Sequence, residues 1–342
     1  MKTKIIGLLV CIMLMTTFLT VAINVEQKDS RLIAQNKMVI SSFEDDVPEW
    51  GVGDEWIYKI SDINMDIEEN KSIHVHLEID ELPLEVVDNT SDYNVEFKAD
   101  MRGSYSVYIE EENDTIDVSG ELIGTTVSGN IYFSKADLGI TKIEYKLSGI
   151  LTIQVNQLPK DWNIPNILIL IPIPAKITTT LDFGTPYTLF DFPMNTSKYW
   201  GLPASNFTVN GDISSLWLTI LNIINDIASI FGFQLLPEEL ADLLPVIDIE
   251  DALAVRGMNN TFEIPEVSAL FGCFSMDNIT VPAGTFNSYN ISVAPINLTH
   301  ALGRIYYSPD AKNIVKITGG VEDLLPFLTT LEMELIKYEP SE

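Results

Sequence analysis

Gly129-Asn-Ile-Tyr-Phe-Ser-Lys-Ala-Asp-Leu-Gly-Ile-Thr-Lys-Ile143 is matched later in the chain by Gly303-Arg-Ile-Tyr-Tyr-Ser-Pro-Asp-Ala-Lys-Asn-Ile-Val-Lys-Ile317. At a constant offset of 174 residues and without a gap, seven of the fifteen positions are identical. Each copy has an apolar run, a loop and a second apolar run, which predicts strand, loop and strand. The loops end on Gly139 and Asn313, two residue types that adopt positive φ readily. The repeat therefore predicts an internally duplicated β protein.

The sequence around the first copy predicts further strands. In 71–80 the apolar Ile73, Val75, Leu77 and Ile79 alternate with His74, His76, Glu78 and Asp80, as in a strand with one buried face. Short gaps containing Gly, Asn or Asp separate predicted strands at 93–99, 104–110, 115–123, 127–134 and 140–155. Such spacing is typical of an antiparallel meander. The length of the last strand indicates a strongly curved sheet.

The second half has its own strand signals. Residues 278–293 predict a hairpin with its turn at Pro282-Ala-Gly284, and 331–338 predict a last strand. Trp200 in the second half is a candidate counterpart of Trp56 in the first. Residues 102–108 also resemble 283–289, but less closely than 129–143 resemble 303–317. We therefore expect a mainly β fold (α+β by content) made of two related antiparallel curved-sheet halves.

Between the strand-rich regions the residue pattern changes. Residues 164–173 are aliphatic but contain Pro165 and Pro172, which favours an extended edge or a covering loop. Residues 216–231 place their apolar side chains at helical spacing, and Ser214 or Ser215 can cap the start. Pro237 fits the first position of a second, shorter helix. A helical insertion over 214–244 is therefore predicted in the second half.

The expected layout is a signal peptide at 1–22, a flexible linker at 23–47 and a first β repeat at 48–160. A proline-broken apolar connector follows at 161–190, and a second β repeat with its insertion occupies 191–342. Residues 1–22 carry two lysines, an apolar run over 5–19 and a small-residue exit near Ala22, the pattern of a secretory signal. The alternative is an uncleaved N-terminal membrane anchor. We expect a secreted or cell-surface protein.

The chain is strongly acidic, with a formal net charge of −29. Removal of 1–22 takes away Lys2 and Lys4 and no acid, which brings the charge to −31. Such a charge disfavours nucleic acid and anionic membranes as partners. Because 46% of the residues are hydrophobic, the chain is expected to fold rather than to stay disordered.

The hairpin with Pro282-Ala-Gly-Thr-Phe286, followed by Gly303-Arg-Ile-Tyr-Tyr-Ser308, resembles secreted or periplasmic β-sheet proteins of the DUF3108-like kind. The Val52-Gly-Asp-Glu-Trp56 opening is similar to the entry strand of archaeal cell-surface proteins. The resemblance is best over 278–317. It implies a long-stranded antiparallel sheet curled around an apolar interior, and it carries no catalytic residues.

The sequence contains few residues that are candidates for catalysis or metal binding. His74 and His76 share a strand face with Glu78, but His300 is distant, and a solvated strand face is the favoured interpretation. Cys273 is expected to be buried and inert. The acidic clusters at 44–46 and 248–251 lack the regular spacing of a calcium loop. Hydrolase, metalloprotease and phosphate-binding motifs are absent from the sequence. We therefore expect no enzyme, no metal and no cofactor.

Nine Asn-x-Ser/Thr sequons are candidates for glycosylation in an exported chain. They begin at Asn70, Asn89, Asn113, Asn195, Asn206, Asn259, Asn278, Asn290 and Asn297.

The apolar segments suggest a ligand site. In this hypothesis they cover the mouth of a curved sheet and hold a lipid or another hydrophobic small molecule. The candidate lining residues are Ile167, Ile169, Leu216, Ile220, Ile223, Ile227, Ile230 and Phe231. Two alternatives stay open: these segments are ordinary core, or the protein is a structural or adhesive glycosylated surface protein without a small-molecule site.

Overall fold

The computed structural model describes residues 45–68, 71–111, 114–157, 170–201, 205–215, 255–264, 269–295, 303–320 and 328–341. Within these ranges the regular structure consists of fourteen strands and includes no helix. The strands are β1 Glu55–Glu68, β2 Lys71–Asp88, β3 Tyr93–Glu111, β4 Asp114–Phe133, β5 Ile140–Gln157, β6 Leu170–Tyr187, β7 Tyr199–Gly201, β8 Ser205–Ser215, β9 Val255–Ile264, β10 Ala269–Val281, β11 Gly284–Pro295, β12 Gly303–Ser308, β13 Asn313–Gly319 and β14 Leu328–Glu339.

All fourteen strands belong to one antiparallel sheet, which confirms the prediction of a mainly β, antiparallel protein. Its order is β7-β10-β11-β12-β13-β14-β1-β2-β3-β4-β5-β6-β8-β9. The two predicted halves do not form separate sheets, because β14 pairs with β1 and β6 pairs with β8. Backbone hydrogen bonds therefore join the beginning, middle and end of the chain.

The strands of the first half are longer than predicted. Predicted strands at 93–99 and 104–110 merge into β3, and those at 115–123 and 127–134 merge into β4. The glycines between them mark irregularities within a strand: the register shifts between Met101 and Gly103 and between Ile123 and Thr126. A glycine in a strand can mark a bulge as well as a turn, and here it marks a bulge.

Two predicted boundaries in the middle of the chain are wrong. The connector over 161–190 becomes β6 from Leu170 onward, and Ser214 and Ser215 are the last residues of β8 rather than a helix cap. Pro172 and Pro174 are tolerated because β8 reaches only as far as Ala175, which pairs with Ser215. The proline end of β6 thus pairs with β5 on one side only, within the described ranges. The rest of the predicted insertion lies outside the described residues.

The chain connections require the sheet to roll up. Laid flat, fourteen strands would span about 62 Å at roughly 4.8 Å per spacing. Yet β7, at one end of the order, is joined to β8, near the other end, by residues 202–204 alone. Three connecting residues reach at most about 14 Å. Residues 265–268 link β9 and β10 in the same way. The two ends of the sheet therefore come close together, and one face points inward.

The two repeat copies form hairpins with the same register. The corresponding pairs are Ile131↔Ile143 and Ile305↔Ile317, Tyr132↔Lys142 and Tyr306↔Lys316, and Phe133↔Ile140 and Tyr307↔Ile314. Both hairpins have a register shift at the same position. Positive φ occurs one residue earlier than predicted, at Leu138 (56°) and Lys312 (54°), rather than at Gly139 and Asn313.

The correspondence extends to the neighbouring strands. Tyr93-Asn-Val-Glu-Phe97 of β3 and Tyr289-Asn-Ile-Ser-Val293 of β11 pair with matching residues of β4 and β12. The fainter likeness between 102–108 and 283–289 is therefore wrong, because Tyr289 corresponds to Tyr93 and not to Tyr108. The offset falls from 196 to 174 between these strands because β3 and β4 are longer than β11 and β12.

The strand before each of these units also corresponds. Trp56 pairs with Leu84 and Trp200 with Phe271. Before each tryptophan lies a residue of positive φ, Gly53 at 94° and Ser197 at 90°. Gly53 N–H donates to Val86 O at 2.8 Å, and Ser197 N–H donates to Cys273 O at 2.7 Å. Val86 and Cys273 pair with corresponding residues of β3 and β11, and a bulge follows each of them.

Two clusters of buried side chains line the inward face. The larger one is centred on β1–β5 and the smaller one on β7 and β10–β13. Ile63, Tyr187, Phe192, Leu331 and Met333 pack against both clusters, so the core is continuous.

Candidate functional site

One end of the rolled sheet, here called the aromatic end, is closed by aromatic side chains. It contains the start of β1 and the β4–β5 and β12–β13 turns. Trp50 lies 5.1 Å from Trp56, 5.1 Å from Tyr93 and 5.2 Å from Phe133 between ring centroids. Phe190 lies 5.1 Å from Tyr307 and 5.9 Å from Phe192. The irregular segments 45–54 and 188–198 thus supply side chains that fill this end from within.

Hydrogen bonds from the first half to the second hold these aromatic groups in place. Trp50 Nε1 donates to Lys312 O at 2.9 Å, and Trp56 Nε1 donates to Ala311 O at 2.7 Å. Tyr58 Oη donates to Ile314 O at 2.7 Å. Burial raises the pKa of Tyr58 well above its ordinary value, so this phenol remains a donor.

Asp54 fastens the C-terminal segment to the same end. Its fully buried carboxylate accepts from Gly51 N at 2.8 Å, Ser341 N at 2.6 Å and Ser341 Oγ at 2.9 Å. Burial alone would raise the pKa of Asp54, but the backbone donors of Ser341 and Gly51, with Lys312 Nζ 3.6 Å away, hold it below its ordinary value. This carboxylate is structural, because its oxygens are occupied by donors from the protein itself.

The inward face continues away from the aromatic end as an apolar wall. Leu77, Tyr105, Leu122 and Leu147 are buried along β2–β5. Tyr105 Oη donates to Thr152 O at 2.9 Å, so its polar group is satisfied by the wall itself.

The opposite end, here called the distal end, is where β1–β6, β8 and β9 reach Glu68, Lys71, Glu111, Asp114, Gln157, Leu170, Ser215 and Val255. Segments 69–70, 112–113, 158–169 and 216–254 connect strands there and lie outside the described residues. All eight predicted ligand-lining residues, from Ile167 to Phe231, belong to two of these segments. Both segments adjoin one strand pair, because Ala175 of β6 pairs with Ser215 of β8.

The face of β2 that carries the histidines forms a network of polar side chains and not a group of metal ligands. His76 lies between Asn64 Oδ1 at 3.0 Å and Glu78 Oε1 at 3.2 Å. Arg102 donates to Glu78 Oε2 at 2.7 Å and to Asp80 Oδ2 at 2.7 Å. The hydrogen bond from Arg102, followed by that involving His76, lowers the pKa of Glu78. Within the described ranges, no three His, Cys, Asp or Glu side chains form a group that could hold a metal ion.

Cys273 lies in β10 with its side chain fully buried. Burial raises the pKa of its thiol to about 12, so the thiolate needed for nucleophilic chemistry is strongly disfavoured.

The described sequon asparagines differ in accessibility. Asn206 and Asn278 are exposed, whereas Asn89 and Asn290 are partly buried. Asn290 Nδ2 donates to Asp277 Oδ2 at 2.8 Å, and its Oδ1 is buried without a hydrogen-bond partner among the described residues. Asn195 is also partly buried, and no side-chain placement is described for Asn70, Asn113, Asn259 and Asn297. Among the described sequons, Asn206 and Asn278 are therefore the asparagines best placed to accept a glycan.

Sequence reasoning missed a pair of exposed aromatic residues on the outer face, Tyr199 and Phe274. In the sequence, Phe274 belongs to an apolar run around Cys273. In the structure it lies on the outer face, because Phe271 and Cys273 point inward and successive side chains alternate. The bulge leaves Phe274 unpaired in the register of β10 and β11.

None of the residues that the structure describes belongs to a helix long and apolar enough to cross a membrane. No family model, curated protein or solved structure matches this chain.

Proposed function

We propose that this is an exported, non-enzymatic protein that holds a lipid or another apolar ligand inside its rolled sheet, toward the distal end. The observation that carries the proposal is the contrast between the two ends. Aromatic side chains close one end, while the distal end carries the long apolar connections of the chain.

The size of the roll supports this assignment. Closed rings of about eight strands are just filled by their own side chains, and larger rings leave room inside. At the aromatic end the additional segments 45–54 and 188–198 occupy that room. For the distal end we infer that an apolar ligand occupies the corresponding space together with the connecting segments, because an empty apolar space would cost packing energy.

The N-terminal segment supports export. A charged start, an apolar middle and a small-residue exit near Ala22 are typical of a cleaved signal. The mature protein would then carry a charge of −31, which favours solubility in an extracellular space.

Internal duplication is part of the proposal. The matched registers, the paired positive-φ residues at Gly53 and Ser197, and the equivalent tryptophans Trp56 and Trp200 support it. On this interpretation β8 and β9 interrupt the second unit, and the ligand space lies between two descendants of one β unit. The DUF3108-like resemblance remains a prediction.

The test is extraction of the purified full chain with organic solvent, followed by mass spectrometry of the extract. We expect a lipid or other apolar compound in stoichiometric amount, and a lower melting temperature after its removal. Replacing Leu147 by Gln on the inner face should reduce the retained ligand. Lys146→Gln, its exposed neighbour, should leave it unchanged. A folded protein whose extract contains no such compound, and whose melting temperature is unchanged by extraction, would refute the proposal.

A further inference from the structure

The outer face carries an aromatic pair, defined as Tyr199 of β7 and Phe274 of β10. Their side chains are 65% and 58% exposed, the largest values among the exposed large hydrophobic residues of the described ranges. The ring centroids lie 5.5 Å apart with an interplanar angle of 79°. Two nearly perpendicular rings form a corner that is open to solvent.

The local backbone is arranged to present these rings. Tyr199 pairs with Gly272, and Phe274 occupies the register shift between Cys273 and Ser275. A Cβ atom on Gly272 would lie 2.8 Å from the Phe274 ring and 3.1 Å from the Tyr199 ring. Glycine at this position therefore leaves the space that both rings occupy.

The first half provides an internal comparison. By strand pairing, Tyr199, Gly272 and Phe274 correspond to Glu55, Glu85 and Val87. The same turn, hydrogen bonds and bulge thus form in the first half without an aromatic pair and without the glycine. The fold does not require the pair, and exposing it costs hydrophobic free energy.

The same strand carries a carboxylate three residues after Phe274, and this carboxylate contacts Ser275, the residue next to Phe274. Asp277 accepts from Ser275 Oγ at 3.2 Å and from Asn290 Nδ2 at 2.8 Å, and both donors are neutral. Among the described residues, no Lys, Arg or His lies within ion-pair distance of this carboxylate. No cation of the described residues therefore compensates its negative charge, in a chain whose net charge is −29.

We propose that the aromatic pair and Asp277 bind the alkylammonium group of a small organic cation, such as a choline-type ligand. A cation over an aromatic face is attracted by the ring quadrupole, and quaternary ammonium groups are recognised in this way by clusters of aromatic rings. The acidic surface raises the local concentration of cations. Two rings and one carboxylate offer far less area than a stable protein interface needs, which favours a small ligand.

The experiment is an NMR titration of the full chain at low salt with choline and with its neutral isostere 3,3-dimethyl-1-butanol. Choline should bind in the millimolar range, and the neutral isostere should bind at least about fivefold more weakly, because it lacks the cation–π term. Equal affinity of the two compounds, or no saturable shift with choline, would overturn the proposal.

Variants then locate the site. Phe274→Val places at this bulge the residue that Val87 provides in the first half, so the fold should tolerate it. Phe274→Val and Tyr199→Ser should each weaken choline binding by about two- to fivefold, and Asp277→Asn should also weaken it while preserving the shape of the side chain. Val87→Ala, at the corresponding bulge, is the matched control and should have no effect. Unchanged affinity in the first three variants, with the folded state verified by circular dichroism, would place any choline binding elsewhere and refute the assignment.

Discussion

Asp54 is a residue whose side chain is both fully buried and charged. Its two oxygens receive donors from Gly51 and Ser341, so the start of β1 and the C-terminal segment share one carboxylate. Burial of a charge is tolerated only when such bonds compensate for lost hydration.

Asp54→Asn should lower the free energy of unfolding at pH 7 by about 2–3 kcal/mol, because the variant replaces a charged acceptor and directs an amide donor at other donors. Asp80→Asn, which affects an exposed ion pair, should change stability by less than about 0.5 kcal/mol. Urea denaturation of both variants measures the difference. Equal effects would mean that the buried carboxylate contributes no more than a surface charge.

The stability that Asp54 contributes should also depend on pH. Its pKa is lower in the folded protein than in the unfolded chain, so the contribution is complete above the unfolded pKa of about 3.9 and is lost as the pH falls through the folded value. The difference between wild type and Asp54→Asn should therefore shrink below about pH 4. A difference that stays constant down to pH 2 would contradict this assignment.

Cys273 should be unreactive in the folded protein. Its side chain is fully buried and the pKa of its thiol is raised to about 12 by burial, so neither access nor ionisation favours reaction. With a chromogenic disulfide reagent at pH 8, we expect no reaction of Cys273 until denaturant is added. Rapid labelling in native buffer would show that β10 opens easily.

At the level of strands and turns, Gly53 and Ser197 occupy corresponding positions with nearly the same positive φ. Glycine adopts that conformation freely, whereas serine is strained there. Gly53→Ala should lower the free energy of unfolding by about 1–2 kcal/mol, and Ser197→Gly should raise it by about 0.5–1 kcal/mol. Chemical denaturation tests both.

Ser128→Gly provides the matched control, because Ser128 lies in β4 and is not a positive-φ residue. There, glycine should lower stability by about 0.5–1 kcal/mol. If Ser197→Gly destabilises as much as Ser128→Gly, the two turns are not equivalent in energy.

Strand type was predictable from sequence, but strand continuity was not. The alternation of Val75, Leu77 and Ile79 with His76 and Glu78 correctly predicted which face of β2 is buried. Sequence could not distinguish Gly103 within a strand from a glycine in a turn, because the distinction depends on the neighbouring strand. Positive φ at Leu138 and Lys312 was missed for the same reason, since the register of each hairpin selects the left-handed residue.

For the whole molecule, the similarity between 129–143 and 303–317 was visible in the sequence, while the arrangement of these two segments in one sheet was not. One sheet forms because β14 pairs with β1 and β6 pairs with β8. These pairings join segments that are separated in sequence. No local pattern encodes such partners. The candidate ligand residues from Ile167 to Phe231 lie outside the described ranges, so their lining role remains a prediction.

The two halves should unfold together. Trp50, Trp56 and Tyr58 of the first half donate to backbone carbonyls of the second, and β1–β14 and β6–β8 add backbone pairing. Calorimetry should give a single transition, and Trp56→Phe should shift that whole transition downward. Two separate transitions, with only one of them shifted, would indicate independently stable halves.

The hydrogen bonds between Asp54 and Ser341 are also relevant to protein engineering. Because Glu55 at the start of β1 pairs with Glu339 at the end of β14, a short peptide could join the C-terminal segment to the segment that leads into β1. New termini could then be opened between β3 and β4, outside the predicted ligand-lining segments, to yield a circular permutant. An affinity handle attached beyond Ser341 would leave the chain near Asp54 at the aromatic end, away from the opposite rim and therefore suitable for immobilised binding assays.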